Sequence, residues 1–224
     1  MPFFELSADS PCIFPPSEMA MPDGFLAVGG DLSIKRLVNA YTMGIFPWYN
    51  PGDPIQWWCP KERFVIFPNK IHISKTMRKF MKTSPYNVKI NTDFPLIINA
   101  CRMLRENETW LSDEMEAAYN AMFNEGHVLC VGVYENDTLV GGLYGVSLGK
   151  CFSGESMFSK ATNASKIALI HLSKYLYEND YEFIDCQFHT PHLESMGGTY
   201  ISWFEYKRLL KLGLKDFPLE AYWD

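Results

Sequence analysis

No stretch of this 224-residue sequence approaches the ~18 consecutive apolar residues that a membrane-spanning helix needs, so no membrane partner is expected. The opening MPFFELSADSP lacks a basic segment followed by a long apolar run, which argues against a signal peptide and for a soluble, cytoplasmic protein. There is no C-x-x-C pair among Cys12, Cys59, Cys101, Cys130, Cys151 and Cys186, so reduced thiols are expected rather than a disulfide framework or a zinc site. Neither G-x-S-x-G nor G-x-x-x-x-G-K-[ST] occurs, which removes the nucleophile elbow and the phosphate loop. His189 and His192 form an H-x-x-H, but no carboxylate or cysteine stands at the usual metal-ligand spacing; no metal and no cofactor are expected. Acidic residues are missing altogether from residues 63–92, which carry Arg63, Lys70, Lys75, Arg78, Lys79, Lys82 and Lys89.

The formal net charge is −6, so nucleic acid is not the partner that the overall balance suggests. A charge run is ordinarily a solvated face. A local surplus of seven cations on an acidic chain nevertheless makes an anionic partner worth carrying forward. Apolar residues make up 47% of the chain, enough for a real core, and aromatics are plentiful at 15%.

Residues 1–62 are rich in Pro, Gly and aromatics and predict a small irregular domain with one clear helix, capped by Ser33 and ended by Gly44. The boundary falls near WWCPKERFV. Residues 63–224 then alternate: a strand FVIF, a short amphipathic helix ISKTMRKFMK, a strand YNVKIN, a helix capped by Asp93 and carrying Leu96, Ile97, Ala100, Cys101 and Leu104, and a helix from Ser112 or Asp113 to Gly126. VLCVGVY and TLVGGLYGVSL read as a hairpin through Glu135-Asn136-Asp137, followed by the strand KCFSGESMF. A long helix capped by Asn163 or Ser165, a strand EFIDCQ and a helix near ISWFEYKRLLKLG complete an α+β order.

Three stretches could carry chemistry. In FIDCQ, Asp185 and Gln187 stand two apart, so on one strand face a carboxylate and a carboxamide lie side by side. Asp185 could act as a general base or orient Gln187; the bland alternative is a strand end with a surface Gln187. In SGESMF, Glu155 beside Met157 and Phe158 suits a cationic or amine head next to an apolar group, if it is not simply a solvated side chain on a core strand. Trp48, Tyr49, Trp57 and Trp58 offer flat faces of the kind nucleobases stack on.

Taken together, FLAVGGDLSIKRLVNAYTMGIFPWY, IQWWCPKERFVIFP, LVGGLYGVSLGKCFSGESMFS, NASKIAL, IDCQ and HTPHLESMGG resemble the leucyl/phenylalanyl-tRNA–protein transferase family, and span most of residues 14–205. The resemblance implies a small N-terminal domain and a C-terminal domain similar to the GCN5-related N-acetyltransferase fold. It implies transfer of leucine or phenylalanine, less readily methionine, from aminoacyl-tRNA to proteins with an N-terminal arginine or lysine, which marks them for N-degron degradation. Asp185 and Gln187 would be catalytic, with the terminal ribose hydroxyl as an alternative proton shuttle. Glu155 would hold the cationic acceptor, and Met157, Phe152 and Tyr144 the donor's apolar side chain. Trp48 and Trp110 would meet the terminal adenosine, and Lys75, Arg78, Lys79 and Lys82 the acceptor-stem phosphates. The acting unit would be a monomer.

The sequence departs from the family's pattern at Cys59 (serine expected), Gly132 (glutamate expected) and Trp203 (arginine expected). Losing that acid and base together would remove one ion pair. Two other functions remain in view: an acyl-CoA-dependent N-acyltransferase, disfavoured because SKATNAS lacks the glycines of a pyrophosphate loop, and a binding module without catalysis.

Overall fold

The computed structural model describes residues 3–9, 12–104 and 111–222. In chain order the elements are β1 (Phe4–Leu6), β2 (Phe25–Gly29), α1 (Ile34–Thr42), β3 (Phe46–Pro47), β4 (Gln56–Trp58), β5 (Arg63–Ile66), α2 (Lys75–Thr83), β6 (Asn87–Ile90), α3 (Phe94–Met103), α4 (Asp113–Asn124), β7 (Val128–Glu135), β8 (Thr138–Leu148), β9 (Cys151–Ser159), α5 (Ala164–Glu178), β10 (Phe183–Asp185), α6 (Pro191–Ser195), β11 (Thr199–Ile201) and α7 (Trp203–Gly213). Five of the described helices begin with a hydroxyl cap, Thr190 doing for α6 what serine does for four others. The hydroxyls of Ser33, Ser74, Ser112 and Ser202 accept the N–H groups of Arg36, Met77, Met115 and Glu205, satisfying a donor that the helix itself cannot.

Two sheets result. The smaller has the order β1-β2-β4-β3, and the larger β11-β5-β10-β9-β8-β7-β6. Within the larger sheet β9 and β10 run parallel, because α5 crosses over between them; the other neighbours are antiparallel. The β7–β8 hairpin turns through Asn136 and Asp137, both left-handed, as a two-residue primed turn requires.

Both faces of the large sheet are covered, which explains the near-continuous burial of β7 and β8. On one face Ile167, Leu169 and Leu172 of α5 and Met77 of α2 pack on Val131, Val133, Leu143 and Phe152. On the other, Leu37, Ile97, Tyr119 and Leu209 from α1, α3, α4 and α7 join Cys130, Tyr144, Val146 and Trp57 in one cluster. Trp57 belongs to the small sheet, so the two sheets share a core.

Several local expectations are corrected. The N-terminal segment is less irregular than its Pro and Gly content suggests, because short strands tie it into the four-stranded sheet. Asp93 and Asn163 occupy N-cap positions but are left-handed and make no side-chain cap. The Asp93 carboxylate instead accepts from Tyr134 Oη at 2.6 Å. Of the apolar residues carried by α3 and its end, Ile97, Ala100 and Cys101 are buried, and Leu96 and Leu104 are exposed.

Candidate active site

Strand β10 is shorter than β9. Its pairing ends at Asp185 opposite Ser153, whereas β9 runs on to Ser159. Beyond that point the two strands part, and a cavity of about 670 Å³ opens between β9, the segment following β10, β3 and the first turns of α5 and α6. Its walls include Phe46 and Trp48 on one side, and Leu143, Phe152, Met157 and Leu169 on another.

Glu155 reaches this cavity because of a bulge. Tyr144 pairs with Ser156 and Gly145 with Gly154, so Glu155 is the extra residue between them. A bulge re-aims a side chain that regular alternation would direct elsewhere. Gly145 permits it: a Cβ there would lie 2.2 Å from the Ser153 carbonyl oxygen. Tyr41 from α1 donates to Glu155 Oε1 at 2.8 Å, and Tyr119 from α4 donates to Oε2 at 2.8 Å. The two phenol oxygens are themselves 2.8 Å apart. Burial raises the Glu155 pKa to about 8, against the opposing pull of the two phenols. Both tyrosines are held well above their ordinary range by the same burial, so they remain phenols.

Gln187 also lines the cavity, but not by strand alternation with Asp185. The strand has ended, and Gln187 is left-handed at φ 56°. Its backbone N–H donates to Asp185 Oδ1 at 2.9 Å, and its side-chain Nε2 lies 3.5 Å from Glu155 Oε1. The pair is therefore organised through the Gln187 backbone.

Asp185 does not line the cavity and is 1% exposed. Arg63 Nη2 donates to Oδ2 at 2.9 Å, Arg63 Nε donates to both oxygens at 3.1 Å, and Tyr206 Oη donates to Oδ2 at 2.8 Å. Arg63 is sandwiched by the rings of Phe46 and Tyr206, at 5.1 and 4.5 Å, and donates to the Gly44 carbonyl at 2.7 Å. Of the two roles open to Asp185, this geometry favours orientation of Gln187 over direct proton abstraction. Arg63, counted in the basic run, is correspondingly a buried partner and not a phosphate-facing cation.

Met157, Phe152 and Tyr144 all line the cavity, as does Trp48, which is 44% exposed and packs on Trp58 and Phe188. Trp110 lies outside the described residues. Lys75, Arg78, Lys79 and Lys82 are exposed on α2. Lys89 instead lies over the Tyr134 ring at 4.5 Å and 4.0 Å from Asp93. Sequence reasoning missed Tyr41, Tyr119, Arg63 and Tyr206. Only Arg63 left a trace, as the first cation of the basic run, directly before the apolar strand FVIF.

The family departures have separate surroundings. Cys59 is buried and its thiol donates to the Gly44 carbonyl at 3.4 Å, a bond that serine could also make. The Tyr134 ring occupies the space over Gly132, whereas Trp203 stacks on Tyr206 at 5.4 Å. These surroundings give no support to a single lost ion pair linking the two positions.

Comparison with known proteins gives consistent names. A family model described as leucyl/phenylalanyl-tRNA protein transferase matches residues 65–211, and one described as the N-terminal domain of the same protein matches residues 30–61. The leucyl/phenylalanyl-tRNA–protein transferase of Syntrophus aciditrophicus is 45% identical over 214 residues, covering 94% of this chain and 90% of its own length. That of Pseudomonas putida is 46% identical over 214 residues, covering 94% of each. Among solved structures, an aminoglycoside acetyltransferase from an uncultured soil metagenomic sample aligns over 58% of this chain and 89% of its own, with a TM-score of 0.39 at 12% identity. The L-PGS of Bacillus licheniformis aligns over 76% and 57%, with a TM-score of 0.41 at 11% identity.

Proposed function

The chain belongs to the leucyl/phenylalanyl-tRNA–protein transferase family and is an aminoacyltransferase, and we propose that it moves leucine or phenylalanine, less readily methionine, from tRNA to an N-terminal arginine or lysine of an acceptor protein. The product would then enter N-degron degradation in the cytoplasm, with the monomer as the acting unit. No described helix is long and apolar enough to cross a membrane.

The observation that carries this reading is the juxtaposition in one cavity of an apolar wall with the polar pair Glu155 and Gln187. Phe152, Met157, Leu143 and Leu169 suit an uncharged donor side chain. A pocket of this kind separates donors by size and polarity, at about 1–3 kcal/mol per methylene. Trp48 at the rim supplies a face for the terminal adenosine. Glu155 and Gln187 receive the amine of the acceptor. Because an ester becomes an amide, neither ATP nor a metal is needed; positioning and proton transfer suffice. Asp185 fixes the turn that presents Gln187, while Lys75, Arg78, Lys79 and Lys82 offer cations to the acceptor stem.

We read residues 1–62 and 63–224 as two domains, the second similar to the GCN5-related N-acetyltransferase fold. The division is supported by the two separate sheets, and the fold by an antiparallel meander followed by α5 and a strand parallel to β9.

The test is transfer of radiolabelled leucine or phenylalanine from charged tRNA to a peptide that begins with arginine. Transfer should require Gln187, and Gln187→Ala should lose rate while still binding charged tRNA. No transfer by folded wild-type protein would refute the proposal.

A further inference from the structure

A row of exposed rings runs outward from the cavity. Trp48 and Phe188 line its rim; they are 44% and 38% exposed, and their centroids are 5.3 Å apart. His189 follows Phe188 in the chain and is also exposed. Its ring stacks on Tyr200 of β11, with centroids 5.9 Å apart and planes inclined by 21°. Tyr200 is 56% exposed despite that contact. Single exposed rings need no explanation, but a contiguous apolar surface marks a place of contact.

The outer part of the row is held firmly. Phe64 of β5 is buried and meets both His189 and Tyr200 at 5.0 Å in T-shaped contacts. Strand pairing sets Tyr200 directly opposite Phe64. His189 Nε2 lies 3.0 Å from Glu194 Oε2, which anchors the edge of the imidazole.

We propose that Phe188, His189 and Tyr200 form a stacking platform for the unpaired nucleotides that precede the terminal adenosine of the donor tRNA. This rests on the transferase reading, in which Trp48 meets the adenosine itself.

The position of the row argues for this occupant. In that reading the donor runs from Trp48 to the cations of α2. The link between α6 and β11 lies against the segment that leads into α2: the His72 N–H donates to the Met196 carbonyl at 2.9 Å, and a Cβ on Gly197 would stand 2.8 Å from the Lys70 carbonyl oxygen. Lys75, the first residue of α2, comes three positions after His72. The row therefore spans the interval that the single-stranded end has to cross.

The chemistry of the row agrees. Every base has a π-face, so a platform of rings holds nucleotides without a hydrogen-bonding code. The Glu194 carboxylate would repel a phosphate, so the row receives bases and leaves the backbone to α2. An acceptor peptide leaving Gln187 could also meet Phe188. Acceptors of this kind share only their first residue, however, whereas every donor tRNA ends in the same unpaired nucleotides. A fixed row of rings suits the constant ligand.

The experiment compares leucyl-tRNA with leucyl-adenosine as donors to an arginine-initiated peptide, for wild type, Tyr200→Ala and Tyr200→Phe. Tyr200→Ala is expected to raise the KM for leucyl-tRNA roughly 5- to 150-fold. The KM for leucyl-adenosine, which lacks the preceding nucleotides, should change far less. Tyr200→Phe keeps the ring and should stay near wild type. The slope of log affinity for tRNA against log salt concentration should be unaltered in Tyr200→Ala, because no phosphate contact is lost. An unchanged KM for leucyl-tRNA, an equal rise for both donors, or a rise confined to the acceptor peptide would overturn the proposal. Binding of the ribotrinucleotide CCA, set against adenosine alone, reads the platform without turnover. CCA should bind wild type more tightly than adenosine does, and Tyr200→Ala should lose that advantage; no advantage in wild type would equally overturn the proposal. Wild type that transfers from neither donor, yet keeps a Tyr200-dependent preference for CCA, would refute the transferase reading and leave the platform as a single-strand binding site.

Discussion

Arg63 and Asp185 form an ion pair at 2.9 Å in which each partner is 1% exposed. They come from neighbouring strands β5 and β10, 122 residues apart in sequence. Removing two charges from water is costly, and their attraction offsets that cost only when the remaining donors and acceptors are also used. Here Tyr206 Oη and the Gln187 N–H complete the Asp185 carboxylate and Gly44 takes a further Arg63 donor, but Arg63 Nη1 is buried without a hydrogen-bond partner among the described residues, so the pair's cost is only partly offset.

Asp185→Leu alone should destabilise the protein by about 3–5 kcal/mol, because it strands a buried guanidinium. Adding Arg63→Met should restore much of that loss, as an apolar pair needs no partners. Transfer activity should stay low in the double variant, because Gln187 has lost the acceptor that fixes its backbone. Urea unfolding and the transfer assay on the same samples check both halves. Recovery of activity along with stability would show that Asp185 serves folding only.

Much of this arrangement was legible in the sequence, for identifiable reasons. Hydroxyl caps and apolar periodicity are local signals, so Ser33 and Ser112 marked helix starts, and the β7–β8 hairpin was visible in its turn residues. The GESMF and DCQ stretches named Glu155 and Gln187. What holds those residues was not legible. Tyr41 and Tyr119 reach Glu155 from helices 114 and 36 residues away, and no spacing rule links phenols to a carboxylate across such distances. The bulge at Glu155 and the left-handed Gln187 break the alternation on which strand-face reasoning depends. Asp93 failed as a cap because its left-handed backbone gave its carboxylate to Tyr134.

Glu155 should make folding stability depend on pH. Its pKa rises from 4.5 to about 8 on folding. Between those values the folded protein holds a proton that the unfolded chain has released, so rising pH favours unfolding. Stability should fall across that window by up to about 1.4 kcal/mol per pH unit from this group alone. Glu155→Gln, which cannot ionise, should remove this component of the slope. Denaturant midpoints measured at several pH values on both proteins read the difference directly.

Trp48 is half-exposed at the cavity rim, with Trp58 and Phe188 behind it. A base stacked on an aromatic ring gains about 1–3 kcal/mol. Trp48→Ala should therefore raise the KM for aminoacyl-tRNA by roughly 5- to 150-fold, with less effect on the KM for the acceptor peptide. Trp48→Phe, which keeps a ring, should fall between the two. Equal effects of Trp48→Ala on both substrates would argue for a packing role.

Salt provides the sharpest view of α2. Lys75, Arg78, Lys79 and Lys82 are exposed on one short helix whose Met77 is buried against the α5 side of the sheet. Replacing these four cations leaves the apolar anchor in place, so the fold should tolerate it. Each cation that neutralises a duplex phosphate contributes about 0.9 to the slope of log affinity against log salt concentration. Lys79→Gln should therefore flatten that slope by about one if Lys79 touches the acceptor stem, and the fourfold Gln variant by up to about four. Affinity should drop most at low salt and converge on wild type as salt rises. An aminoacylated minihelix titrated at several salt concentrations measures this, with aminoacyl-adenosine as the control, since it carries no acceptor-stem phosphates and its binding should be unaffected. A slope unchanged in the fourfold variant would move the tRNA track off α2 altogether.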